Sequence, residues 1–160
     1  VISKCYEQGQ IPLLIMADGI TDVRNIGAIA RSCECLGAHA LVVPQSNSAR
    51  LGSGAVKSSA GALMRVPICR VKDMRTALKS VQSHGLRVIG LTEKGSDNLH
   101  DCDLSGPVAL VLGSEHDGIS EAVIRSADHL ARIPMSGTIG SMNVSVAAGI
   151  GLYEISRQRQ

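Results

Sequence analysis

The sequence has 160 residues, 44% of them apolar and 19% charged, which is one soluble globular domain's worth, able to bury a core without disulfides or metals. No apolar run approaches the roughly 18–20 residues that a membrane helix needs, and a net charge of +2 excludes strong general attraction to nucleic acid, so such a partner must be held by a local patch. Tyr6 and Tyr153 are the only Phe, Trp or Tyr side chains, which excludes base stacking on aromatic platforms.

The N-terminus does not resemble a signal peptide, and the five cysteines, Cys5, Cys33, Cys35, Cys69 and Cys102, are odd in number and lack framework spacing. A reducing, cytoplasmic setting is expected. Because the first residue is Val1 rather than Met, this domain is expected to be a fragment of a longer chain with a segment upstream. Ile11 to Ala17 is almost wholly apolar and closes on Asp18-Gly19, the pattern of a strand buried on both faces. Thr21 or Asp22 leads into a helix whose Ile26, Ile29, Ala30, Cys33 and Leu36 form one stripe ended by Gly37; Arg31 lies off that stripe. Ala40 to Val43 is a second strand and Pro44 to Ser48 a loop. Lys57 to Leu63 reads as a short helix and Val66 to Val71 as a third strand. Asp73 can cap a helix from Met74 to Ser83, stopped by Gly85. Arg87 to Leu91 is a fourth strand, Thr92 to Gly106 a long polar loop, Pro107 to Leu112 a fifth strand and Ile119 to Ser126 a short helix. His129 to Ile133 is a sixth strand, and Pro134 to Ser141 is too rich in Gly, Ser and Pro to be regular. Asn143 starts a final helix with Val144, Ala148, Leu152 and Ile155 on its apolar face.

Strands that are continuous apolar runs and alternate with helices give an α/β fold, a parallel sheet with helices on both faces. Ligands of such sheets bind beyond the carboxyl ends of the strands, so Thr92 to Gly95, Gly113 to Gly118 and Pro134 to Met142 should converge on one rim. Neither an internal repeat nor a dividing linker is visible.

Several local patterns fail on inspection. Gly52 to Ser58 lacks the glycine before lysine that a Walker loop needs and the third glycine of a dinucleotide fingerprint, and reads as a flexible turn. Ser114, Glu115, His116 and Asp117 are sequence neighbours and cannot point at one another as a hydrolase triad must. No zinc partners accompany Cys33 and Cys35, and His100 to Asp103 reads as a solvated loop. No metal is expected.

Three blocks remain: Asn25 to Arg31 with its trailing Gly37, Leu112 to Ile119, and Ile133-Pro134-Met135 through Ser141-Met142-Asn143 to Ala147. In order and spacing they resemble the three motifs of the SpoU (TrmH-like) RNA 2′-O-ribose methyltransferases of the SPOUT superfamily, over nearly the whole chain from Asp18. The likeness is greatest to bacterial enzymes that methylate a guanosine ribose of large-subunit ribosomal RNA, which carry a small RNA-binding domain ahead of the catalytic one. The resemblance implies a SPOUT fold with a C-terminal deep trefoil knot, S-adenosyl-L-methionine as cofactor, an RNA substrate, and a homodimer through the first and last helices. It implies that Gly113, Ile133 and Met142 meet the cofactor with Thr92 nearby. It also implies that Asn25, Arg31, Glu115, Ser141 and Asn143 surround the reacting ribose.

A ribose 2′-hydroxyl is a poor nucleophile until its proton leaves or its developing charge is stabilised. The family assigns Arg31 as base, yet an arginine pKa above about 12 favours stabilisation of the alkoxide, with Glu115 and Asn143 fixing the fork of the guanidinium. Taken singly, Arg31 reads as a solvated helix residue and Glu115 as a cap on the helix at Ile119. Two alternatives stay open: a tRNA ribose methyltransferase, and a knotted RNA-binding module without catalysis.

Overall fold

The computed structural model describes all residues from 1 to 160. Its strands are β1 (Leu13–Ala17), β2 (Ala40–Pro44), β3 (Ile68–Val71), β4 (Arg87–Leu91), β5 (Asp97–Asn98), β6 (Val108–Leu112) and β7 (His129–Arg132). They form one wholly parallel sheet in the order β3-β2-β1-β6-β4-β7-β5. The helices are α1 (Ile2–Glu7), α2 (Val23–Cys35), α3 (Ser53–Ser58), α4 (Met74–Ser83), α5 (Glu121–Ser126) and α6 (Val144–Gln158).

Every residue of β1, β2 and β6 is buried, which explains their unbroken apolar runs: alternate side chains serve opposite faces of the sheet. Leu13, Ile15 and Ala17 join the larger core cluster with α2, α3 and α6. Leu14 and Met16 join the second cluster with α4 and α5. The chain runs outward from β1 to β3 and then crosses back to β4, leaving the place beside β1 that β6 fills over the whole register Leu13↔Val108 to Ala17↔Leu112. That reversal of strand order makes a crevice at the carboxyl ends of β1, β6 and β4.

Three local expectations are corrected and one unforeseen element appears. Helix α3 begins at Ser53, within the stretch read as a flexible turn, and ends at Ser58; Ala60 (φ 50°) and Gly61 (φ 85°) then break the chain before a 3-10 turn at Ala62–Met64. Tertiary contact decides this, since Ser58 Oγ donates to Val23 O at 3.1 Å and a Cβ on Gly27 would collide with Ser58. The Thr92 to Gly106 loop contains β5 and a 3-10 turn at Leu99–Asp101, a two-residue polar strand with no periodicity to reveal it. Helix α1 is a further element, six residues long with Cys5 alone buried. Helix α5 starts two residues late, at Glu121, because Ser120 is its N-cap and gives its N–H to Asp18 Oδ2 at 2.7 Å.

The carboxyl end of α6 is tied to distant backbone. Gln158 donates to Cys102 O and accepts from Leu104 N, and the Arg159 guanidinium donates to the carbonyls of Ile11, Pro12, Leu104 and Gly106. This fixes α6 across the sheet and so fixes where its amino end, at Asn143, emerges.

Candidate active site

The three segments expected at one rim do meet there. Residues following β4, β6 and β7, together with the first turn of α6, line a cavity of about 440 Å³. Its apolar wall includes Leu91, Leu112, Ile133, Met142 and Val144, and its polar wall includes Thr92, Lys94, Ser114, Glu115, Ser141 and Asn143.

The loop after β6 closes on itself. Ser114 N donates to Gly118 O at 2.9 Å, Gly118 N returns to Ser114 O at 3.2 Å, and Asp117 N donates to Ser114 Oγ at 2.9 Å. A Cβ on Gly113 would overlap the backbone of Gly118 and Ile119. Only glycine permits that closure, so Gly113 lines the cavity for a reason internal to the loop.

Closure throws Glu115 toward α2. Its Oε1 accepts from Asn25 Nδ2 at 3.0 Å and from Asp22 N at 3.2 Å, while Oε2 accepts from Thr21 N at 3.4 Å. Asn25 Oδ1 in turn accepts from Asn143 Nδ2 at 3.1 Å, and Asn143 Oδ1 caps α6 by accepting from Ser145 N at 2.9 Å. Each amide therefore has one satisfiable orientation: a carboxylate needs donors, and the α6 cap needs an acceptor. Partial burial works against ionisation of Glu115, but the bonds from Asn25, from its own amide and from the amides of Asp22 and Thr21 outweigh it and hold the carboxyl below the ordinary glutamate range. The cap on α5 that Glu115 would offer when read singly is not formed.

Thr92, Gly113, Ile133, Ser141 and Met142 all line the cavity. Asn25 stands beside it through Glu115 and Asn143. Arg31 does not join them. It is exposed on the outer face of α2 and makes no hydrogen bond or ion pair within the chain, so the expected fork held by Glu115 and Asn143 is absent. Six positions along a helix place Arg31 about 120° around and about 9 Å along from Asn25. Sequence reasoning missed Asp18, a buried acid whose backbone N–H bonds Leu112 O at 2.8 Å and whose carboxylate holds α5. An acid closing an apolar strand is the signal that could have found it. No three His, Cys, Asp or Glu side chains are grouped to hold a metal ion, and no helix is long and apolar enough to cross a membrane.

The model of the SpoU rRNA Methylase family matches residues 12–153, a span that contains the cavity and every residue of the Glu115–Asn25–Asn143 chain. This chain belongs to that family. It is 44% identical over 153 residues to an uncharacterized tRNA/rRNA methyltransferase of Mycolicibacterium paratuberculosis, covering 95% of this chain and 50% of the relative. It is 38% identical to the 23S rRNA (guanosine-2′-O-)-methyltransferase RlmB of Yersinia pestis, covering 96% of this chain and 62% of that protein. This SpoU-family chain spans about half the length of the curated relatives it matches. In three dimensions it is similar to the SpoU methyltransferase AviRb of Streptomyces viridochromogenes solved in complex with the cofactor AdoMet, with a TM-score of 0.85 and 32% identity over 93% of this chain and 60% of that one. The family's parallel sheet is thus the fold found here.

Proposed function

We propose that this domain transfers a methyl group from S-adenosylmethionine to a ribose 2′-hydroxyl of RNA, with a guanosine of large-subunit ribosomal RNA as the target. The observation that carries this reading is the Glu115–Asn25–Asn143 chain at the mouth of the cavity. It is a set of polar groups drawn from three separate elements, beside an apolar wall large enough for a nucleoside.

The donor set suits the cofactor. Leu91, Leu112, Ile133, Met142 and Val144 offer an apolar surface for an adenine, and Thr92 and Ser141 offer hydroxyls. When bound, the cofactor supplies a methyl already activated by its sulfonium. The chain's own residues have two remaining tasks, to orient the ribose and to stabilise charge on its 2′-oxygen. Ser141 and Asn143 are exposed side chains of the cavity lining. Glu115, ionised at neutral pH, holds Asn25 and the amino end of α2 in register with α6.

Arg31 serves the 2′-oxygen from a second copy of the chain. Supporting a two-fold dimer, Val146 and Tyr153 are 52% and 61% exposed on α6 with half-buried Ile150 between them, an outward apolar stripe on a helix that packs against α2. We further propose that the segment from Ile133 through α6 passes under the β4–β6 connection as a deep trefoil knot. Close passage of Gly95 against the backbone of Ala131 and Arg132, and the ties from Gln158 and Arg159 to the 102–106 backbone, support it.

The test is methylation of a large-subunit ribosomal RNA transcript with labelled cofactor, followed by mapping of 2′-O-methyl positions. Label in a guanosine ribose is expected. Label in transfer RNA alone would move the target, and cofactor binding without transfer to any RNA would leave only a binding module.

A further inference from the structure

Positive charge is concentrated in one part of the chain. Residues 50–79 hold seven of the sixteen Lys and Arg and only one of the fourteen Asp and Glu, Asp73. The remainder is therefore net acidic, and the +2 of the whole chain conceals a basic edge.

That edge is the outer strand of the sheet and the helix after it. Arg70 lies on β3, Lys72 follows it, and Arg75 and Lys79 stand one turn apart on the exposed side of α4. Arg50 is in the loop after β2. All five are exposed, and none has an ion pair or hydrogen bond within the chain, whereas Arg24, Arg65, Arg87, Arg125 and Arg157 all pair with acids. Lys72 and Arg75 favour the ionised Asp73 carboxylate through charge alone and bond no group within the chain. They flank the amino end of α4, where the helix dipole disfavours cations, and the carboxylate of Asp73 there is engaged in capping Thr76 N at 2.8 Å.

The edge is continuous with the cavity. In a parallel sheet the ends of β3, β2, β1 and β6 share one rim, and three strand spacings put Lys72 about 14 Å from the loop after β6. Between them the loop after β2 folds back, with Ala49 N bonded to Ile20 O at 2.8 Å. Gly19 touches that loop at Asn47 and the cavity loop at Ser114, with Cβ-position distances of 3.5 and 3.6 Å.

The geometry points to the β3–α4 edge, from Arg50 through Lys72, Arg75 and Lys79, as the track that holds the phosphate backbone of RNA flanking the nucleotide in the cavity; this rests on the RNA methyltransferase reading above. Unpaired cations along a rim, without aromatic side chains, grip phosphates and not bases. An acidic protein is the competing partner, and it would not be read through counterion release along a polyanion.

The experiment compares wild type, the triple variant K72Q/R75Q/K79Q and the control K4Q/R125Q in binding the ribosomal RNA transcript across a salt series, with cofactor titration alongside. For the triple variant the slope of log affinity against log salt should fall by about 2, at about 0.7 per single-strand phosphate contact, with cofactor affinity unchanged. Single-turnover methylation should keep its rate at saturating RNA while the half-saturating RNA concentration rises. An unchanged slope, or an equal fall in the control, overturns the track while leaving the methyltransferase reading intact. Wild type that binds RNA with the expected slope difference yet transfers no methyl upholds the track and overturns the activity. Wild type that binds no RNA overturns both.

Discussion

Asn25 and Glu115 lie 90 residues apart in sequence and meet through a 3.0 Å hydrogen bond. That contact joins the amino end of α2 to the loop after β6, and Asn143 extends it to α6. Replacing Asn25 with Ala leaves a partly buried carboxylate with one donor fewer and the Asn143 amide with no acceptor. A loss of about 1.5–3 kcal/mol in urea unfolding is expected, the range for hydrogen bonds to charged groups, together with slower methyl transfer. Unchanged stability and rate would show that the bond contributes nothing.

The same carboxylate sets a pH dependence. Its folded pKa is depressed, so its contribution is complete above the unfolded glutamate value of about 4.3. That contribution is lost as pH falls through the lower folded value. Glu115→Gln should therefore lose less stability than wild type on acidification from pH 5 downward. Parallel melting-temperature curves for the two proteins across that window would refute the assignment.

Arg31→Ala should leave cofactor affinity nearly unchanged and slow methyl transfer by about 10²–10³-fold, the usual loss for one charge-stabilising donor. Lysine should not rescue it, because it lacks the planar fork. If Arg31 acts on the second copy's cavity, mixing Arg31→Ala with Asn143→Ala chains should restore activity toward about a quarter of wild type, through mixed dimers with one intact site. Two inactive variants that stay inactive when mixed would mean that each site takes its Arg31 and Asn143 from one and the same chain, and would overturn the cross-subunit role.

Glycines of the cavity loops should separate cleanly. Gly113→Ala drives a methyl into the Gly118 and Ile119 backbone and should cost about 1–3 kcal/mol, with loss of calorimetric cofactor binding. Gly137→Ala and Gly140→Ala meet nothing within 4 Å and should be near neutral. Equal effects at all three would mean that the loop after β6 is not held as described.

The central strands were legible in the sequence because burial on both faces leaves continuous apolar runs, read at Ile11 to Ala17, Ala40 to Val43 and Pro107 to Leu112 and found at Leu13–Ala17, Ala40–Pro44 and Val108–Leu112. The cap Asp73 and the helix starts at Thr21 or Asp22 and at Asn143 were legible for a local reason, a side chain bonding an amide two or three residues on, with Asp22 and not Thr21 forming the cap. So was the convergence of three loops, which follows from parallel strands alone. What tertiary structure decided was everything set by contacts between distant segments. Strand order put β6 between β1 and β4, the two polar residues of β5 became a strand by pairing with β7, and Ser58 made a helix of an apparent turn by bonding α2. The family motifs marked Asn25, Arg31, Glu115 and Asn143 as a group, but only packing could divide it. Three of them bond in series within one chain, while Arg31, about 120° around the same helix from Asn25, faces outward.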